Sequence, residues 1–139
     1  MFRILLGSDG SPDSRRAARA IPWFAASLDA EVVVASAAST HVPVVTAWEF
    51  APTEGPIPRE TAARWAEECA AWLTGHGVPA RSVVLDGEPA EALAKHATTE
   101  GFDLIVIGWR GRDSASFPRM GTVASILPDL VSCPVLVVP

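Results

Sequence analysis

Asp103-Leu104-Ile105-Val106-Ile107-Gly108-Trp109-Arg110-Gly111 sets an apolar run against a glycine-bearing turn. After a loop through Pro118 the chain continues as Gly121-Thr122-Val123-Ala124, which opens a helical pattern, and it closes on Cys133-Pro134-Val135-Leu136-Val137-Val138. Strand, glycine-rich loop, helix and strand in that order make a βαβ unit whose loop amides and helix N-terminus can face a phosphate. Gly108 and Gly111 would let the backbone approach an anion with no side chain between. Arg110, Arg112 and Arg119 would add positive charge to an otherwise acidic chain. On spacing alone, the glycines could equally close tight turns and the arginines keep a loop solvated.

Outward from this unit the same alternation repeats. Phe2 to Leu6 reads as a buried strand that runs into Gly7-Ser8-Asp9-Gly10-Ser11-Pro12, a turn suited to a strand-to-helix crossing. Ser11 is an N-cap with Pro12 at the first helical position, and Ala17, Ala20, Ile21 and Phe24 recur at helical spacing. That helix should reach about Leu28, kinked or shortened by Pro22. Glu31 to Ser36 is a second strand, residues 37–56 a long loop, and Ile57 to Gly75 a helix with Trp65, Cys69 and Trp72 on one face. Ala80 to Leu85 is a third strand, followed by a helix from Pro89 and Ala90 to Thr99. Pro128 should bend the last helix or make it restart. Alternating strands and helices imply an α/β fold: one domain over residues 1–139, with three α/β/α layers on a five-stranded parallel sheet.

The composition narrows the function. A formal charge of −5 argues against a broad basic surface for nucleic acid. No apolar run approaches the roughly 20 residues that span a bilayer, and no secretion signal opens the chain, so a cytoplasmic protein without a membrane partner is expected. Cys69 and Cys133 form no metal or redox motif, and His41, His76 and His96 show no ligand spacing. The expected metal set is empty.

Gly108-x2-Gly111-x9-Gly121-Thr122 resembles the nucleotide-binding signature of the universal stress protein family, in its ATP-binding subclass. Gly87-Glu88-Pro89, Cys133-Pro134-Val135 and Asp9-Gly10-Ser11 resemble other stretches of that family in the same order, so nearly the whole chain is covered. The resemblance implies a sheet of order 3-2-1-4-5, of the adenine nucleotide alpha hydrolase-like type. It implies a site for ATP, with Mg2+, formed by Asp9, Ile107, Gly108, Arg110, Gly111, Gly121, Thr122 and Val123. Asp9 would lie beside the ribose or a phosphate-bound metal, although by itself it reads equally as the cap of its own turn. The family commonly dimerises through its last strand, here Pro134 to Val138, which implies a homodimer. The sequence departs from the family pattern at Trp109, where a small polar residue is usual, at Pro118, and in lacking a His-Val pair at the end of the second strand.

Other phosphate chemistries are excluded or weakened. G-x-x-x-x-G-K-[ST] is absent, as is G-x-G-x-x-G after the first strand. Ser8-Asp9-Gly10-Ser11-Pro12-Asp13-Ser14 only faintly resembles the SGGxDS loop of adenylating pyrophosphatases. No paired carboxylates or nucleophile–base pairs stand out, so the expectation is a sensor or regulator that is not an enzyme beyond weak, incidental ATP turnover. The rival is a stress-family protein that binds no nucleotide and acts through dimerisation and protein contacts.

Overall fold

The structure, a computed structural model, describes residues 1–39, 56–110 and 121–139. Its elements run β1 (Phe2–Gly7), α1 (Pro12–Ala20), α2 (Pro22–Leu28), β2 (Ala30–Ala38), α3 (Arg59–Gly75), β3 (Ala80–Asp86), α4 (Pro89–Glu100), β4 (Leu104–Gly108), α5 (Thr122–Leu130) and β5 (Val135–Val138). The strands form a five-stranded sheet of order β3-β2-β1-β4-β5 with every pairing parallel. The expected architecture and strand order are therefore present.

Two-residue periodicity explains why the strands read as unbroken apolar runs. Ile4, Leu6, Val32, Val34 and Val106 face one core, shared with Ala17, Ile21, Ala25, Ala66 and Leu73 of α1 to α3. Leu5, Val33, Ile105 and Ile107 face the other, under Leu93, Ala97, Ala124 and Leu127 of α4 and α5. Both faces of a parallel sheet are covered, so alternate residues are all apolar. Ile4, Leu5 and Leu6 are each 0% exposed. At about 1.5–3 kcal/mol for each fully buried aliphatic side chain, these three anchor the central strand.

Several boundaries differ from the sequence reading for definable reasons. The first helix divides at Ile21 into α1 and α2, because Pro22 has no N–H to continue the ladder. On α3 the buried stripe is Ala62, Ala66, Ala70 and Leu73, while Trp65, Cys69 and Trp72 sit half-buried beside it. Alanines let the helix axis come close to the sheet, and the larger side chains fill the flank. Ala37 and Ala38 extend β2, and Ser39 pairs with Ile57 in an antiparallel bridge (N···O 3.0 and 2.8 Å). The rest of the expected long loop, residues 40–55 with His41, lies outside the described residues. Pro128 is accommodated within α5, which does not restart. The last strand begins at Val135, one residue after Pro134, whose carbonyl accepts from the Ile105 N–H at 3.0 Å.

Candidate functional site

In a sheet of this order the strand sequence reverses between β1 and β4, and the crevice beyond their C-terminal ends is where ligands bind. β1 and β4 are paired neighbours (Leu6 opposite Val106), so Asp9 and the Gly108–Arg110 turn leave the sheet side by side.

The loop after β1 is tightly built. The Ser8 N–H donates to the Ala35 carbonyl at 2.9 Å, and Ser36 Oγ donates to the Ser8 carbonyl at 2.7 Å, tying the loop to β2. Asp9 Oδ1 accepts from the Ser11 N–H at 2.9 Å, the turn-capping role open to it in sequence. Gly10 has φ +75°, and a Cβ there would stand 2.6 Å from the Trp65 indole, so the ring lies directly across the turn. Ser11 caps α1, its Oγ accepting from the Ser14 N–H at 3.1 Å.

The first turn of α1 also carries the residue that sequence reasoning missed. Asp13 is 4% exposed. Its Oδ2 accepts from the backbone N–H of Arg110 at 2.9 Å and from Arg110 Nε at 3.3 Å, while Oδ1 pairs with Arg16. Gly108 makes this approach possible: a Cβ on it would lie 2.7 Å from the Asp13 carbonyl carbon and 2.8 Å from its oxygen. The space that a side chain would take at Gly108 is thus occupied by α1 backbone, which adds a packing reason to the ligand reason offered by the sequence. Asp13 and Arg110 are 97 residues apart, so no local spacing signals their contact.

Beyond Gly108 the turn is held from both sides. The Trp109 N–H donates to the Val138 carbonyl at 2.8 Å, and the Trp109 carbonyl accepts from the Gly121 N–H at 2.8 Å. The Trp109 ring finds room beside Arg110, whose guanidinium carbon is 5.2 Å from the ring centroid. The Gly121 amide is therefore engaged in the turn. The donors left at this helix start are those of the first turn, from Thr122 and Val123 onward, which lack intrahelical partners by geometry. Gly121 caps α5 without a side-chain hydrogen bond, and α5 has no acidic residue in its first turn. The other three helices that follow strands each carry one: Asp13 in α1, Glu60 in α3 and Glu91 in α4.

Thr122 is exposed and Val123 half-buried, whereas the Ile107 side chain is in the core under α4 and α5, so Ile107 can meet a ligand only through its backbone. Gly111, Arg112, Pro118 and Arg119 lie outside the described residues. A groove of about 830 Å³ opens at the ends of β2 and β3, lined by Ala38, Ser39, Ile57 and Pro58 and rimmed by the Arg59–Asp86 ion pair.

Among the described residues, the histidines and Cys69 stand elsewhere. His76 Nδ1 lies 2.7 Å from the Trp72 carbonyl, and His96 packs against Phe102. Burial holds the His96 ring below the usual histidine range, with nearby Arg81 and Arg3 adding to the effect against Glu100. Burial pushes the Cys69 thiol up to about 11, which keeps it protonated and inert at neutral pH. Among the described residues, no group of three or more His, Cys, Asp or Glu could hold a metal ion. Among them too, no helix is long and apolar enough to cross a membrane.

The comparisons bear on family and fold. A sequence model described as the universal stress protein family matches residues 1–139. A universal stress protein of Thermus aquaticus is 34% identical, over 99% of this chain and 99% of its own length. One from Methanocaldococcus jannaschii is 31% identical, over 98% of this chain and 81% of its own. Among solved structures, a universal stress protein in complex with cAMP superposes with a TM-score of 0.69 at 25% identity, covering 99% of this chain and 97% of that one.

Proposed function

The chain belongs to the universal stress protein family, and from that premise we propose that it binds an adenine nucleotide, ATP with its Mg2+, and holds it with little or no turnover as a stress sensor or regulator. The observation that carries the proposal is the contrast among helix starts at the sheet's C-terminal edge. α1 has a side-chain cap in Ser11 and α3 and α4 an acid in the first turn, whereas among the described residues α5 alone of these four has neither. A helix start favours an anion by about 0.3–1 kcal/mol, more when partly buried. The cyclic nucleotide in the related structure supports an adenine ligand.

The strand order suits the length of such a molecule. Phosphates at α5 and Gly108 would lie beyond β4, the ribose by Asp9 beyond β1, and the base toward Ala38 and Ser39 beyond β2. Neighbouring strands are about 4.8 Å apart, so this path covers roughly 10 Å. The divalent ion would arrive with the phosphates, with Asp9 as the carboxylate placed to meet it. Among the described residues, the two histidines pack on ring neighbours, His76 on Trp72 and His96 on Phe102, which supports holding over hydrolysis. We place the protein in the cytoplasm.

A ligand that binds only the native state raises stability by RT ln(1 + [L]/Kd), about 2.7 kcal/mol at a hundredfold excess. Thermal melts with millimolar Mg-ATP should show a rise in Tm that AMP reproduces only in part. The absence of any shift with ATP would contradict nucleotide binding.

A second role rests on the other end of the chain. β5 is an edge strand, and Leu136 on it is 39% exposed; α5 beside it exposes Ile126 at 42% and Leu130 at 44%. An apolar edge strand invites pairing. We propose a homodimer joined antiparallel through Pro134 to Val138, the surface through which a member that bound no nucleotide would act. Light scattering should give a dimer mass for the native protein and a monomer mass for Leu136→Lys. A dimer unaffected by that charge would place the interface elsewhere.

A further inference from the structure

We infer that Asp13 is a positioning residue for the phosphate end of the site, acting through Arg110 rather than by touching the ligand. The inference rests on the nucleotide-holding reading and deepens it. Asp13 lies in the first turn of α1, yet its carboxylate makes no contribution to capping, which Ser11 already supplies. The carboxylate reaches across to β4 instead. One oxygen accepts from both the backbone N–H and Nε of Arg110, at 2.9 and 3.3 Å, and the other pairs with Arg16.

Three features make this a built arrangement. The Asp13 side chain is 6% exposed against 30% for Arg110, so the acid is the buried partner and the arginine the one that reaches solvent. Gly108 has no room for a Cβ because Asp13 backbone fills that space, so the residue before the turn is shaped to admit this contact. The turn it fixes leads straight to the ligand: Arg110 follows Trp109, whose carbonyl holds the Gly121 N–H at the start of α5. One buried carboxylate therefore sets where the β4 turn leaves the sheet and, through Trp109, the placement of the α5 N-terminus.

The contact to Arg110 also determines its charge role. A carboxylate near a phosphate site would by itself repel the ligand. Paired with Arg16 and Arg110 its charge is offset, so it does not add to the repulsion of a phosphate. Asp13 should accordingly matter for the phosphates and not for the nucleoside.

The test compares ATP with adenosine by calorimetric titration of the native protein, Asp13→Ala and Asp13→Asn. The alanine variant should lose about tenfold in ATP affinity, the scale of a hydrogen bond to a charged group, while adenosine changes by less than about twofold. Asparagine keeps an oxygen for the Arg110 N–H, so it should regain part of the loss and restore slow hydrogen exchange at that amide. Equal losses for ATP and adenosine, or no loss for either, would overturn the inference while leaving nucleotide binding intact. A native protein that binds no ATP would overturn both, and the wild-type arm alone identifies that case.

Discussion

Replacing Gly108 with alanine is expected to destabilise the protein by roughly 1–3 kcal/mol, the range for forcing a methyl into a packed interior. The new Cβ would lie 2.7–2.9 Å from the carbonyl carbon, oxygen and Cβ of Asp13, two of them backbone atoms that cannot swing aside. α1 would have to move off the end of β4, and the Asp13–Arg110 bonds would lengthen with it. Urea denaturation should show a lower midpoint at unchanged slope, accompanied by weaker ATP binding. Gly75→Ala is the control: a Cβ there meets nothing within 4 Å. It should stay within about 0.5 kcal/mol of the native protein. Equal midpoints for the two variants would show that Gly108 is not the packing residue the structure makes it.

Gly121→Val is expected to abolish the stabilisation by ATP while leaving the fold standing. Gly121 caps α5 in an extended conformation, φ −71° and ψ 169°, which a β-branched residue also adopts. Its N–H can still reach the Trp109 carbonyl, so the turn is kept. The valine methyls would stand at the opening of α5, where the first-turn amides have to meet phosphate oxygens without a side chain between. Gly121 is buried, so the valine should lower the Tm without ligand, by the roughly 1–3 kcal/mol of an overpacked site, while leaving a cooperative transition, and millimolar Mg-ATP should no longer raise it. A full ATP shift in this variant would mean that the phosphates lie somewhere other than the α5 start.

These two glycines show how far the sequence could be read. The architecture was legible because each strand of the sheet's centre is a short apolar run closed by turn residues, and because Pro22 and Ser11 mark helix boundaries chemically. Gly108 was legible as a special position, but not for its principal contact: spacing says that a side chain is unwelcome, not whether ligand or backbone fills the gap. Asp13 was passed over because an acid in a helix's first turn is ordinary, and its partner lies on a strand end 97 residues away. On α3 the large side chains Trp65 and Trp72 drew the apolar face toward themselves, whereas contact with a sheet selects the alanines one position along. Gly121 was legible as the opening of a helix, but the engagement of its amide by Trp109 depends on how the two ends of the β4–α5 connection meet.

Calorimetric titration of the native protein with Mg-ATP tests nucleotide binding most directly. The expected result is saturable heat with one ATP per chain, weakened for adenosine, which lacks the phosphates that α5 would receive. A flat titration at millimolar ATP, with the protein folded throughout, would contradict it.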